Sequence, residues 1–252
     1  MKAKTLISIA LGFIIPLAWA QKDAPDSIET SAGILSIQPV LHATMALSWN
    51  GKTIYIDPYG GATVFEGMAA PDLILITDIH GDHMNIPTLN AINTEKSVIL
   101  APQAVKDELP ENLQSKTVAL ANHEITTQLG IKITALPMYN LPERADSRHP
   151  KGRGNGYVLA LGGKNIYISG DTEDIPEMRA LKNIDIAFVC MNQPFTMTVE
   201  QAASAVLEFK PKIVYPFHYR GREGLSDVEA FKKMVNDKDA GIEVRLKNWY
   251  PQ

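Results

Sequence analysis

The segment Thr77-Asp78-Ile79-His80-Gly81-Asp82-His83 places two histidines and two carboxylates within six positions. Imidazole nitrogen and carboxylate oxygen are donors that zinc, manganese or iron accept, so the spacing reads as a metal-ligand cluster. The same chemistry recurs downstream, at Asp171 in Gly170-Asp171-Thr172 and at His218 in Pro216-Phe217-His218-Tyr219. Either residue alone is as well explained as a turn aspartate or a buried core histidine. Taken jointly and in this order, they point to one metal centre.

Ligands so far apart in the chain need elements that bring them together. Apolar runs precede three of them: Leu73-Ile74-Leu75-Ile76 before Asp78, Ile166-Tyr167-Ile168 before Asp171, and Ile213-Val214-Tyr215 before His218. Each run reads as a strand, and a strand end is a rigid place from which to aim a ligand. Further strand-like runs occupy 34–41, 43–49, 53–57 and 131–136, and Asn50-Gly51 predicts a tight hairpin between two of them. Thr198 with Gln201 forms a capping-box pattern ahead of Val199, Ala202, Ala203, Val206 and Leu207 on one helical face. Ser226 with Glu229 repeats that signal before Phe231, Met234 and Val235. Strands outnumber helices, and the helices cluster between the later strands. This is the pattern of a mixed α/β domain of two or more packed layers.

The spacing of His80, Asp82 and His83 resembles the core motif of the metallo-β-lactamase superfamily, H-x-H-x-D-H, with Asp78 standing where the first histidine belongs. The resemblance implies an αββα sandwich, two mixed β-sheets flanked by helices, with metals at one rim. It implies that Asp171 bridges two metals. Site two would comprise Asp82, His83, His218 and Asp171; site one would comprise Asp78, His80 and Asp171, with His149 or Asn140 added. His42 is read as a residue that holds a ligand by hydrogen bond, and His123, near a turn, as structural. The implied cofactor is one or two divalent ions, zinc first, with manganese or iron as alternatives. Two divalent ions and a bridging hydroxide would make a neutral cluster with Asp78, Asp82 and Asp171, less Lewis acidic than one with histidine at position 78.

Two further groups of residues, His42-Ala43-Thr44 with Tyr55-Ile56-Asp57-Pro58, and Pro137-Met138-Tyr139-Asn140 ahead of His149-Pro150-Lys151-Gly152, look like the branch of ascorbate-6-phosphate lactonase and the N-acyl-phosphatidylethanolamine phospholipase D type enzymes. The activity implied is hydrolysis of a small ester, lactone or phosphodiester by a metal-held hydroxide. Asp82 and Asp171 would hold the hydroxide, and Tyr219 or Tyr139 would donate to an oxygen of the substrate. Tyr139, Asn140, Lys151 and Arg220 are the expected substrate contacts. Arg144, Arg148, Arg153 and Arg222 form either an anion-binding rim or a solvated charged one. A mononuclear iron oxygenase on the same fold and a metal-poor binding module are the alternative readings.

The N-terminus adds a destination. Lys2 and Lys4, the apolar stretch 5–18 and Ala18-Trp19-Ala20 read as a cleavable signal peptide over 1–20, with a mature start at Gln21 and export to a periplasm or beyond. The polar stretch 21–33 then reads as an exposed lead-in to a single domain over 34–252. The formal charge is −4, and more negative once Lys2 and Lys4 leave, which argues against a nucleic-acid partner and for a small-molecule one. No later segment has the length and apolarity of a membrane span. The single cysteine, Cys190, has no partner for an internal disulfide and reads as a small buried hydrophobe.

Overall fold

The computed structural model describes residues 23–251; the leader expected over 1–20 lies outside them. The chain lays down its first sheet in order: β1 (Asp26–Thr30), β2 (Gly33–Leu41), β3 (Thr44–Trp49), β4 (Lys52–Ile56), β5 (Leu73–Leu75), β6 (Val98–Ala101) and β7 (Thr117–Ala119). Asn50 and Gly51 sit at φ 48° and 69° between β3 and β4, with Trp49 paired to Lys52. That is the two-residue loop whose twist suits adjacent antiparallel strands. The sheet is antiparallel through β4 and parallel from β4 to β7.

The second sheet repeats that plan. Its strands are β8 (Ile125–Gln128), β9 (Ile131–Met138), β10 (Gly154–Leu161), β11 (Lys164–Ile168), β12 (Ile186–Cys190) and β13 (Ile213–Phe217). A two-stranded hairpin, β14 (Arg220–Gly221) with β15 (Gly224–Leu225), follows, and β16 (Glu243–Val244) pairs beside β13 to close the sheet. The pairing is antiparallel from β8 to β11 and parallel from β11 onward. The sequence itself shows no internal repeat, so the symmetry is one of architecture.

Alternating side chains divide the core. Ile54, Ile56, Leu73 and Leu75 face the second sheet and join Ile133, Leu159 and Phe188 in one apolar cluster. Tyr55, Ile74 and Ile99 point the other way, toward α1 (Ile86–Ala91), α2 (Gln103–Glu108) and α3 (Glu111–Gln114), where Leu89, Val105 and Leu113 cover them. Across the second sheet, Tyr167 meets Phe209 of α5 (Val199–Phe209), with α4 (Pro176–Arg179) and α6 (Val228–Lys238) alongside. The layers are therefore helix, sheet, sheet, helix: the αββα sandwich, two mixed sheets flanked by helices. Among the described residues no helix is long and apolar enough to cross a membrane.

Two local expectations need correction. The stretch 21–33 is not merely an exposed lead-in, because Asp26–Thr30 is the edge strand of the first sheet, with Ile28 in the core. Asp26 anchors it: its carboxylate accepts from Tyr215 Oη at 2.7 Å and pairs with Lys247 Nζ at 2.5 Å. Burial alone would raise the Asp26 carboxyl, but the hydrogen bonds from Lys247 and Tyr215 and the nearby charges hold it below the usual range. The second correction concerns α6. Its cap is Asp227, whose side chain accepts from Ala230 N at 2.9 Å, while the Ser226 hydroxyl donates to the Met191 carbonyl instead. The Thr198–Gln201 capping box forms as expected.

Candidate metal centre

Every ligand-type residue enters from a loop at a strand end. Asp78, His80, Asp82 and His83 lie between β5 and α1, His149 between β9 and β10, Asp171 after β11 and His218 directly after β13. The loop 80–84 is tied into a turn by His83 N and Met84 N, both donating to the His80 carbonyl. Gly170, at φ 60°, presents Asp171; a side chain there would press on Met138 Sδ and the backbone of Asn155. His218 itself holds a left-handed φ of 46°, a conformation uncommon outside glycine and found at functional sites.

Asp171 is the hub. Its Oδ2 lies 3.3 Å from His83 Nε2 and 3.2 Å from His149 Nε2, and its Oδ1 lies 3.0 Å from His218 Nε2. The Nε2 atoms of His83 and His218 are themselves 3.2 Å apart, and Asp82 Oδ2 stands 3.7 Å from His218. His83, His149, Asp171 and His218 are all buried. His149 Nε2 and Asp171 Oδ1 are fully enclosed with no well-directed hydrogen bond, an arrangement a shared cation would satisfy. The charge balance agrees. Burial opposes a charged His83, yet Asp171, Asp57 and Asp82 push its imidazole well above the usual histidine range. Burial likewise works to raise Asp171, but the charges of His218 and His83 keep it far below. The pocket favours added positive charge, and its nitrogen and oxygen donors fit a divalent ion.

Partners outside the cluster fix which ring nitrogen faces it. His83 Nδ1 donates to Asp57 Oδ2 at 2.8 Å, and Asp57 is itself held by Thr77 N and Thr77 Oγ1 at 2.8 and 2.7 Å. His149 Nδ1 donates to Asn140 Oδ1 at 3.1 Å, which also accepts the His149 backbone N–H. Arg220 N–H donates to Tyr250 Oη, so the Tyr250 hydroxyl hydrogen turns to His42 Nδ1, leaving His42 Nε2–H to donate to Asp82 Oδ2 at 3.2 Å. Each relay leaves the metal-facing atom free, as carboxylate–histidine–metal arrangements require. Asp57, Tyr250 and Asn192, whose amide lies 3.3 Å from His218 Nε2, were not among the residues singled out from the sequence as site residues.

Asp78 stands with His80 and His149 as expected, close enough to share a cation, and its carboxylate also has a partner within the chain. Both its oxygens accept from Arg153, Oδ1 from Nε at 3.1 Å and Oδ2 from Nη2 at 3.0 Å, and Oδ2 also lies 2.7 Å from His80 Nδ1. Arg153 thereby leaves the anion-binding rim. Three of the expected substrate contacts are also otherwise engaged. Tyr139 Oη donates to Glu177 at 2.9 Å, Lys151 pairs with Glu177 at 3.1 Å and with Glu143, and Asn140 is spent on His149, Glu173 and the Phe195 carbonyl. Tyr219 is buried against Tyr250 with its hydroxyl donating to the Lys247 carbonyl, so it supplies no proton to the site. Arg220 remains at the cavity. His123 lies in a turn outside the cluster, and Cys190 is buried, its thiol pushed up to about 12 by burial and by the Asp171 charge.

The cluster opens on a cavity of about 250 Å³. His42, Asp82, Asp171 and Asn192 line its floor, and Arg148, Arg220 and Arg222 line its rim around Phe195. Arg148 and Arg222 lie over the Phe195 ring at 4.5 and 5.5 Å, and Arg220 lies over Tyr250 at 4.1 Å. Gly221 permits the close approach of this segment to Gln193, since a Cβ there would collide with the Gln193 carbonyl.

Two facing mixed sheets with a rim of aspartates and histidines define a class, and similarity to known proteins gives it a name. Residues 53–219 match the Beta-lactamase superfamily domain, and the chain belongs to that superfamily and to its metal-dependent hydrolases. A UPF0173 metal-dependent hydrolase of Thermococcus onnurineus is 35% identical, over 74% of this chain and 86% of its own. The solved structure of a candidate metal-dependent hydrolase from Parabacteroides distasonis is 38% identical with a TM-score of 0.78, covering 88% of this chain and 97% of that one. Igni18, a metallo hydrolase of Ignicoccus hospitalis, shares the fold at 21% identity and a TM-score of 0.71, over 85% and 95% of the two chains. None of these singles out the lactonase and phospholipase branch.

Proposed function

We propose that this protein is an exported metal-dependent hydrolase of small anionic substrates, namely esters, lactones or phosphodiesters carrying a phosphate or carboxylate. The observation that carries the reading is the rim. Arg148, Arg220 and Arg222 face the cavity, and among the described residues none of them is paired with a carboxylate. An anion seated there would meet guanidinium groups already ordered over aromatic rings. The cavity is at or below the lower end of ordinary ligand sites, which favours a small substrate.

His83, His218, Asp171 and Asp82 would hold the divalent ion, zinc first by donor set, with manganese and iron as alternatives. When bound, that ion supplies Lewis acidity and lowers the pKa of a water enough to make a nucleophile near neutral pH. The chain does the rest. Asp57 and Asn140 orient two ring nitrogens, the Tyr250–His42 relay holds Asp82, and the arginines align the substrate over the floor. The resemblance to the lactonase branch supports a phosphorylated substrate, and the basic, apolar leader supports export.

Arg148→Ala and Arg222→Ala are each expected to raise KM for an anionic ester about tenfold with kcat nearly unchanged, since one charge-assisted contact in solvent is worth roughly 1.4 kcal/mol. A neutral ester of the same leaving group should be unaffected. Equal loss on both esters would overturn the anionic-substrate reading. For export, N-terminal mass analysis of the secreted protein should give a chain beginning at Gln21; a product that keeps Met1 and sediments with membranes would refute it.

A further inference from the structure

We infer that Arg153 takes the place of the second metal ion, so that the protein holds one divalent ion, at the site of His83, Asp171 and His218 with Asp82 beside it. The inference rests on the metal reading above and concerns only what fills the neighbouring site. Asp78, His80 and His149 come close enough together to hold a cation. A cation already stands against two of them, Asp78 and His80: the Arg153 guanidinium. Its Nε and Nη2 fork onto both oxygens of the buried Asp78, and Nη2 lies 3.4 Å from His80 Nε2. The same Nη2 donates to the Arg148 carbonyl at 2.6 Å, so the group is fastened from the far side as well. A planar fork on a carboxylate is a strong and geometrically specific pairing.

A metal entering this site would have to expel the guanidinium from Asp78, leaving it partly buried beside a dication. The chain instead matches one departure with another. Aspartate at position 78 adds a negative charge that the histidine of the superfamily motif lacks, and Arg153 neutralises it. The remaining ion sits between His218, 3.0 Å from Asp171 Oδ1, and His83, 3.3 Å from Oδ2, while His149 Nε2, 3.2 Å from that same Oδ2, marks the boundary with the site that Arg153 enters. Arg153 thus contributes a fixed positive charge that no chelator removes.

The test is metal stoichiometry. Purified full-length protein is stripped with chelator, reloaded with zinc or manganese, dialysed and analysed for metal per chain. Wild type is expected to hold one ion and Arg153→Met two, with exchange-coupled manganese signals in the electron paramagnetic spectrum of the variant alone. Should Arg153→Met fail to fold, Arg153→Gln keeps a donor for Asp78 without the charge and carries the same expectation. Two ions in wild type would overturn the substitution while leaving the hydrolase reading intact. One ion in both wild type and the charge-removed variants would also overturn it, because something other than Arg153 would then exclude the second. No ion in wild type would remove both readings together.

Discussion

His218→Ala and His83→Ala are expected to strip the metal and lower hydrolysis by more than about 100-fold while leaving a folded domain. Removing a partner that merely orients a metal ligand costs about 10- to 100-fold in affinity or activity. Removing the ligand itself should exceed that range. Both imidazoles converge on Asp171 with their Nε2 atoms 3.2 Å apart, so each supplies a donor that no neighbour replaces. The two variants should differ in stability. His83→Ala leaves the buried Asp57 without its imidazole donor, a cost of about 1–3 kcal/mol. His218→Ala leaves no buried carboxylate without all of its partners, and the left-handed φ of 46° is already borne by His218 in the wild type, so the substitution adds little backbone strain. Metal content and circular dichroism on the same preparations decide the matter. Full metal retention in a folded variant would remove that histidine from the ligand set.

The ligands were legible because their signals are local. The β5 run ends at Leu75 and the cluster begins at Asp78, so strand and chemistry sit in one window; the same holds for β11 with Asp171 and β13 with His218. What stayed hidden depends on partners far along the chain. Asp57 reads as the end of the strand-like run 53–57 before Pro58 and not as a site residue, since its partner His83 lies 26 positions away. Arg153 reads as one of several rim cations, because nothing near it reveals Asp78, 75 positions earlier. Tyr219 looked promising beside His218, yet adjacency places its ring in a different direction. The hydroxyl that reaches the site belongs to Tyr250, 208 positions from His42. The strand Asp26–Thr30 escaped for another reason. An edge strand buries few side chains, here Ile28, so its polar composition resembles that of a loop.

Asp57 carries the second large prediction. It is fully buried, sits at φ 44°, and accepts from His83 Nδ1, Thr77 N and Thr77 Oγ1. Those bonds lock His83 in the tautomer that turns Nε2 to the metal, and the carboxylate charge strengthens the ring as a donor. Asp57→Asn keeps an oxygen acceptor and tolerates the left-handed backbone, but it loses the charge. Metal affinity should fall about tenfold, with a small change in melting temperature. Asp57→Ala removes every acceptor, leaves buried donors on Thr77 and His83, and strains the backbone. Affinity should fall about 100-fold, with a stability loss of at least about 2 kcal/mol. Chelator competition measures the first quantity and thermal unfolding of the metal-free protein the second. If Asp57→Ala unfolds more easily yet binds metal as tightly as wild type, Asp57 is a brace for the β4–β5 edge and His83 is oriented without it.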